Sequence, residues 1–468
     1  MLFSSISFIF VFLPILFVLC ICTKKEYHNI ILLIASIIFY AWGEPKFLLV
    51  MLSTILISYV GAILIEKYPK HRKLFLIFSV CSTLGFLVYF KYLNFIIGNI
   101  NNIFHSHFDA LNIILPLGIS FYTFQALSYI IDVYKKESVA QKNILKLALF
   151  ITFFPQLIAG PILKYQDIYK QIDSREITIN KIIIGSKRFV IGLAKKMLLA
   201  NILGGAVDKI FMQSPTEITT FLAWFGALAF TMQLYFDFGG YSDMAIGLGQ
   251  IFGFKIKENF NYPWSSRTFS EGWRKWHISL TTWFKKYVYC NIPVHGNRYK
   301  SMLKLLFVFV LTGIWHGAAW NFIIWGFLNG LVIVIEKLVK LKNFEQSHSQ
   351  WWTKVILHIY FIFTLGICLA IFRAENMGYA WKYIQNMLGL LNINYNNLPY
   401  STSYYVGSIE VIAFIVGVIC CTPIFKNMIY LRNKYVKVFV NIWLIILFVI
   451  SVSAIASGTY NPFIYFRF

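Results

Sequence analysis

Long apolar runs recur along the whole chain and are separated by short polar stretches. A helix that crosses a bilayer needs about 20 predominantly apolar residues. The candidate runs are residues 2–22, 29–42, 46–65, 74–90, 111–134, 144–163, 182–203, 218–236, 302–319, 320–336, 354–372, 404–425 and 437–457. Several of these runs are short or interrupted, so we predict about eleven to thirteen spans, some of them re-entrant. The pattern predicts an all-α fold, a polytopic bundle of transmembrane helices.

The composition agrees with this prediction. Hydrophobic residues make up 58% of the 468 residues and charged residues 13%, whereas a soluble domain is about half apolar and a quarter charged. The longest polar stretches, near 164–181, 255–275 and 338–353, are too short to be separate domains. We therefore expect one integral membrane domain over residues 1–468, and we expect any catalytic domain needed outside the cytoplasm to belong to another chain.

The excess of basic residues has two interpretations. The chain has 42 Lys and Arg against 19 Asp and Glu, a net charge of +23, which in a soluble protein suggests a nucleic-acid partner. Cytoplasmic loops of membrane proteins also collect Lys and Arg, and basic clusters follow the first run at Lys24 and the third run at 67–73. We favour the membrane interpretation, with no nucleic-acid partner, the N-terminus outside and both basic loops in the cytoplasm.

Residues 237–321 do not look like lipid-facing helix. Polar and charged residues crowd the stretches 237–243, 258–264 and 271–280. Helical spacing places four apolar residues on one face, which predicts an amphipathic helix in the membrane interface; they are Trp273, Trp276, Leu280 and Trp283. We expect 237–321 to hold the core of an active site.

Two histidines stand out in this region. His316 lies inside a run that should be buried in the membrane, where an ionisable side chain is costly and marks a functional site by default. His277 lies beside the tryptophan cluster, and imidazole is a natural general base near neutral pH. Gly313 and Gly317 either leave room for a substrate beside His316 or allow close helix packing around a structural histidine. The sequence leaves both interpretations open.

Acidic residues give weaker signals. Asp237 and Asp243 flank a glycine-rich break, where they cap helices, pair with basic residues or contribute to the site. Glu336 lies near the end of a run, where its carboxylate can reach lipid headgroups or a lysine. The sequence contains no GxxxxGK, GxSxG or HExxH motif, and its seven cysteines have no metal-ligand spacing. We therefore expect neither a metal site nor a permanently bound cofactor.

These residues belong to a wider set of matches with a known family. The chain resembles the membrane-bound O-acyltransferase (MBOAT) family, specifically its bacterial branch of alginate and peptidoglycan O-acetyltransferases. The matching segments, in the same order over nearly the whole chain, are 1–5, 39–43, 115–125, 154–161, 241–247, WRKWHISL at 273–280, GIWHGAAW at 313–320 and 461–468. The chain departs from the family pattern at Lys286, where many relatives have Asp, and at Gly240, where Ser is common.

The resemblance implies a bundle with a tunnel or funnel that meets a central catalytic histidine. It assigns that role to His316 and makes His277 the second, upstream position, which would orient or polarise a substrate oxygen. The same motifs and the adjoining basic cluster supply the candidate residues for binding substrate or donor, which are Trp276, Trp315, Asn321, Arg274, Lys275 and Asp243.

The reaction implied by the resemblance is acetyl transfer in the bacterial cytoplasmic membrane. The expected donor is a cytoplasmic thioester, acetyl-CoA, and the final acceptor is an extracytoplasmic polysaccharide such as alginate or peptidoglycan. The expected partner is a secreted or membrane-anchored SGNH-type acetyltransferase, and membrane lipid surrounds the helices. The alternative class is a transporter or flippase for a lipid-linked saccharide. Such proteins commonly show internal repeats, and we see none in the sequence.

The orientation can be tested by cysteine labelling of a variant without native cysteines. Lys25→Cys and Arg72→Cys should resist a membrane-impermeant thiol reagent in intact cells and react after permeabilisation, because both lie in basic loops. His107→Cys, in the weakly charged stretch after the fourth run, is the control that should react in intact cells. Labelling of both basic positions in intact cells would overturn the predicted orientation.

Overall fold

The computed structural model describes residues 1–294, 296–348, 350–426, 433–458 and 461. These residues form helices and connecting segments without a strand, so the all-α prediction is confirmed. Of the matching segment at 461–468, all but Asn461 lies outside the described residues. The chain divides into two compact units, a first unit of Met1–Phe189 with Tyr241–Lys257 and a second unit of Val190–Gly240 with Glu258–Phe468.

The first unit is built from helices of very different lengths. Its α-helices are Leu13–Cys22, His28–Ala41, Leu48–Lys67, Arg72–Leu87, Leu93–Phe104, Ile119–Tyr134, Ile144–Thr152, Phe154–Leu157 and Tyr165–Ser174. The boundaries with the second unit fall within the helices Ile179–Ala194 and Thr220–Ile251 and after Lys257. Within the described residues, three π-helical segments continue neighbouring α-helices, Phe8–Phe12 and Val88–Tyr92 in the first unit and Lys195–Ala200 in the second.

The second unit contains the remaining helices. They are Asn201–Phe211, Phe269–Lys275, Ile278–Tyr287, Arg298–His316, Trp320–Leu338, Leu341–Ser347, Trp351–Arg373, Met377–Met387, Thr402–Tyr405, Ser408–Cys420 and Lys434–Ala456. Several of them are far shorter than a membrane crossing, and the two that flank His277 are among these short helices.

The described residues include seven helical stretches that are long and apolar enough to cross a membrane, which makes the chain a multi-pass membrane protein. They are Pro45–Lys67, Arg72–Phe104, Ile179–Phe211, Thr220–Ile251, Trp320–Leu338, Trp351–Arg373 and Lys434–Ala456. The number predicted from the sequence was larger because several apolar runs form shorter helices. His28–Ala41 has 14 residues and Ile119–Tyr134 has 16, fewer than the roughly 20 that a crossing needs.

A tight helical hairpin carries His316. The helices Arg298–His316 and Trp320–Leu338 correspond closely to the predicted runs 302–319 and 320–336. A Cβ atom added at Gly326 would lie 3.0 Å from the Cα atom of Gly313 and too close to the carbonyl oxygen of Phe309. A Cβ atom added at Gly317 would overlap the ring of Phe322. These glycines therefore serve close helix packing, which was one of the two interpretations of the sequence.

The helix predicted around Trp273–Trp283 is broken in two, so that prediction was wrong. Lys275 ends the first helix, Trp276 is extended, and His277 has the left-handed conformation with φ of 42°. The break is held by the neighbouring polar segment: the N–H of Ile278 donates to the carbonyl of Asn259 (2.8 Å) and the N–H of Asn261 donates to that of Lys275 (3.0 Å). These bonds replace helical ones and bring Asn259 beside His277.

Asp237 belongs to a buried ion pair within the second unit. Its carboxylate lies 2.6 Å from the ammonium group of Lys196, and both side chains are almost completely buried. Close to it, a Cβ atom at Gly240 would lie 2.6 Å from the carbonyl oxygen of Gly192, so the common serine would not fit this backbone. Among the possibilities that the sequence left open, pairing with a basic residue is therefore the one observed for Asp237.

Because the hairpin glycines pack closely, replacing one of them by alanine should destabilise the protein, whereas the same change at a glycine with open space should not. Gly313→Ala should lower the free energy of unfolding by about 1–3 kcal/mol, because the added methyl group has no space. Gly205→Ala is the matched control, a helical glycine with open space around it, and it should be neutral or stabilising by up to about 1 kcal/mol. Thermal unfolding in detergent measures both, and equal melting temperatures for the two variants would contradict the packing role.

Candidate active site

An aromatic cavity lies within the second unit. It is partly open, and the space between its walls, open solvent included, is about 550 Å³. The lining residues are Leu234, Trp264, Phe269, Gly272, Trp273, Trp276, His316, Trp325, Asn329, Phe361, Leu365, Leu369 and Phe372. Most of these side chains are aromatic or aliphatic, so the cavity suits an apolar group and brings it next to one imidazole.

His316 is the imidazole in the cavity wall. It is the last residue of its helix and is buried, with 6% of its surface exposed. The rings of Trp325 and Phe372 meet it edge to face, with centroids 5.1 and 5.3 Å away, and the ring of Trp315 lies 4.9 Å away. The aromatic rings restrict the access of water to the imidazole and hold its plane in place.

His277 lies deeper and makes a defined polar contact. It is fully buried, and its Nδ1 atom is 3.1 Å from Asn259 Oδ1. Its ring centroid is 4.6 Å from that of Phe238 and 6.0 Å from that of Trp315. Trp315 therefore contacts the rings of both histidines. His277 lies outside the seven candidate spans; burial, and next the charge of His316, lowers the pKa of its imidazole well below the usual value.

The short helix before His277 is anchored by a buried carboxylate. Glu336 accepts hydrogen bonds from the backbone N–H groups of Phe269 (2.6 Å) and Ser270 (2.8 Å) and from the hydroxyl of Tyr360 (3.2 Å). A negative charge at a helix N-terminus is stabilising. Glu336 therefore does not reach towards headgroups or a lysine, as the sequence suggested, but fixes the start of the helix that carries Trp273.

The tryptophans of this helix form part of the cavity wall. The ring of Trp276 stacks on that of Trp264, with centroids 4.8 Å apart and planes within 16°. The indole N–H of Trp273 donates to Asn329 Oδ1 over 3.3 Å, and the amide of Asn329 donates to the carbonyl of Trp325 over 2.6 Å. Hydrogen bonds thus hold this side of the wall, of which Trp276 is a part.

The remaining predicted residues have different environments. Trp315 is buried between the two histidines, and the amide of Asn321 donates to the carbonyl of Ala374 over 2.9 Å. Lys275 pairs with Glu271 at 2.7 Å, whereas Arg274 is exposed. Asn321 therefore joins two segments of the second unit, and Arg274 is the more accessible of the two predicted cations.

Asp243 belongs to the first unit and does not line the cavity. Its carboxylate accepts hydrogen bonds from Nε and Nη2 of Arg188, at 3.1 and 2.8 Å. The pairing favours the structural interpretation of Asp243 over a role in binding substrate.

Several residues of the site were not singled out in the sequence. Asn259 lies in the polar stretch 258–264, and the polarity of that stretch was the sequence signal for it. The sequence does not show that its side chain contacts His277. Asn329 is a polar residue within an apolar run. A polar side chain at membrane depth indicates a polar contact inside the protein, so this position could have been singled out from the sequence. Trp325 and Phe372 gave no signal, because aromatic residues are common throughout this chain.

Together these features define a class: a multi-pass helical membrane protein with two buried histidines beside an aromatic cavity. The model of the membrane-bound O-acyltransferase family matches residues 138–374. The chain is 40% identical to the probable alginate O-acetylase AlgI of Pseudomonas aeruginosa over 89% of this chain and 80% of the relative. It is 32% identical to the peptidoglycan O-acetyltransferase of Helicobacter pylori over 91% of this chain and 87% of the relative.

A more distant relative is the teichoic acid D-alanyltransferase of Bacillus subtilis, 29% identical over 53% of this chain and 66% of the relative. This chain belongs to the membrane-bound O-acyltransferase family and is an O-acyltransferase. The resemblance inferred from its motifs is confirmed, and the transporter interpretation is not supported.

Proposed function

We propose that this chain transfers an acetyl group from acetyl-CoA, supplied from the cytoplasm, for the O-acetylation of an extracytoplasmic polysaccharide. The observation that carries the proposal is the placement of His316 in the wall of an aromatic cavity, with Trp315 between it and His277. The names of the relatives support acetyl as the acyl group and a polysaccharide as the final acceptor. The bacterial cytoplasmic membrane is the proposed location.

The chemistry follows from the cavity and its imidazole. The acetyl end of the thioester would occupy the aromatic cavity, where the exclusion of water limits hydrolysis. His316 would take the proton of the attacking hydroxyl as the oxygen forms a bond to the thioester carbonyl carbon. The carbon–sulfur bond would then break, and the thiolate would leave and acquire the proton. His277 would orient or polarise a substrate oxygen beside this reaction.

The donor also needs cations for its phosphates, because charge-assisted hydrogen bonds to phosphate are strong. Arg274 and Lys285 are exposed, whereas Lys275 and Arg267 already pair with Glu271 and Glu345. We therefore assign the phosphate contacts to Arg274 and Lys285 first.

The acceptor that meets the cavity is proposed to be a hydroxyl of a separate protein. Within the described residues, no segment between α-helices is longer than the 17 residues of 252–268, too few for a separate domain that would bind a polymer. A secreted or membrane-anchored SGNH-type acetyltransferase would accept the acetyl group and pass it to the polysaccharide.

The role of His316 is tested by His316→Gln, which keeps similar bulk and hydrogen-bonding capacity but cannot act as a base near neutral pH. Since a general base contributes about 10²–10⁴-fold in rate, the variant should lose detectable acetylation while its membrane abundance stays normal. The measurement is the O-acetyl content of cell polysaccharide at matched protein level. His277→Gln should cause a smaller loss.

His348→Gln is the matched control, because His348 bonds to the carbonyl of Phe344 and lies outside the cavity. It should retain full acetylation. Near-normal acetylation in His316→Gln would refute the assignment of His316 as the base, and a structural histidine would show instead a fall in abundance.

A further inference from the structure

The side-chain amide of Asn259 has an orientation fixed by the backbone. The N–H of Ser279 lies 3.2 Å from Asn259 Oδ1, and the hydroxyl of Ser279 donates to the same atom over 2.8 Å. A backbone N–H only donates hydrogen bonds, so the atom that faces it must be the amide oxygen and not the NH₂ group. The fold therefore decides which end of the amide faces His277.

That oxygen in turn fixes the proton of His277. Nδ1 of His277 is 3.1 Å from Asn259 Oδ1, and since the amide oxygen carries no hydrogen, Nδ1 donates in this contact. The hydroxyl of Ser279 lies 3.4 Å from Nδ1, but its one hydrogen is donated to Asn259 Oδ1 over the shorter distance of 2.8 Å, so it does not donate to Nδ1. A neutral imidazole has one N–H, so Nε2 is left with a lone pair. The lowered pKa of this buried imidazole keeps it neutral. His277 is thus held in the Nδ1–H tautomer.

The lone pair lies inside the protein. Nε2 of His277 is buried and has no hydrogen-bond partner among the described residues. A buried polar atom without a partner is destabilising, so a donor brought by the substrate would be stabilised there. Because Trp315 contacts both imidazoles, such a donor would be held near the cavity that His316 lines.

We propose that Asn259 is a positioning residue, which holds His277 in the Nδ1–H tautomer so that Nε2 accepts a hydrogen bond from an N–H or second O–H group of the acyl acceptor. The attacking hydroxyl has one hydrogen, which goes to His316, so the donor to His277 is a different group of the acceptor. A lone pair cannot donate to the thioester carbonyl, so of the two roles open to His277 this tautomer permits orienting the acceptor and excludes polarising that carbonyl. The inference rests on the proposed function, since it takes the reaction to be acyl transfer to a hydroxyl.

The tautomer can be read directly by solid-state NMR of the full chain, labelled with ¹⁵N-histidine and reconstituted in lipid bilayers. Protonated and unprotonated ring nitrogens have well-separated signals, and the signals of His277 are those that His277→Asn removes. The expected result is a protonated Nδ1 and an unprotonated Nε2. A protonated Nε2 in the wild-type protein would overturn the proposal.

Three variants connect the tautomer to the reaction. Asn259→Leu keeps similar volume but removes the hydrogen-bond acceptor for Nδ1, so both tautomers of His277 should be present. The rate of acetyl transfer should then fall about 10-fold to 10²-fold, which is less than the loss of a whole acid–base group would cause. The KM for the donor should change little. Asn259→Asp keeps an oxygen at the same place and should restore the Nδ1–H signal. Ser279→Ala should keep that signal too, because the Ser279 N–H still orients the amide.

Thr282→Ala is the activity control, since this exposed side chain on the same helix bonds to a backbone carbonyl. An unchanged rate in Asn259→Leu would overturn the positioning role. If Asn259→Leu fails to fold, the spectra of the wild-type protein and Asn259→Asp still decide the tautomer. A wild-type spectrum as expected, together with unchanged polysaccharide O-acetylation in cells that lack the whole chain, would refute the proposed function but leave the tautomer established.

Discussion

Two backbone hydrogen bonds determine the geometry of the site. They join Asn259 to Ile278 and Asn261 to Lys275, and they replace helical bonds at the point where the chain turns from one short helix into the next. Without them, Trp276 and His277 would continue a regular helix and His277 would point elsewhere. The left-handed conformation of His277 is uncommon for a non-glycine residue, and conformations of this kind occur where the surrounding structure imposes them.

Two sets of buried charged groups in the second unit have well-defined partners. Lys196 and Asp237 neutralise each other, and the carboxylate of Glu336 is satisfied by two backbone N–H groups and a hydroxyl. Removing one partner of a buried ion pair costs about 3–5 kcal/mol, so these contacts keep the surrounding helices fixed. Nε2 of His277, like Nε1 of Trp325 in the cavity wall, has no hydrogen-bond partner among the described residues, and our proposal gives Nε2 a donor from the substrate.

The sequence predicted the membrane class and the hairpin that carries His316, because apolar runs are local signals, and it singled out His277 and His316 as candidate site residues. It could not predict the break at Trp276, since the helical spacing of Trp273, Trp276 and Leu280 is satisfied by a continuous helix. The break depends on hydrogen bonds with Asn259 and Asn261, which lie 14 to 19 residues before their partners in the sequence. The pairing of Asp243 with Arg188, 55 residues away in sequence, and the anchoring role of Glu336 are likewise contacts that no local pattern reveals.

The central claim is that the acyl group of the donor enters the aromatic cavity beside His316. An acyl-CoA whose acyl group carries a diazirine tests it most directly, after photolysis with the full chain in liposomes and mapping of the labelled residues by mass spectrometry. We expect labels on cavity residues such as Trp276, Trp325 and Phe372, and protection by excess acetyl-CoA. Labels confined to the first unit, or labels in the cavity that acetyl-CoA does not reduce, would contradict the claim.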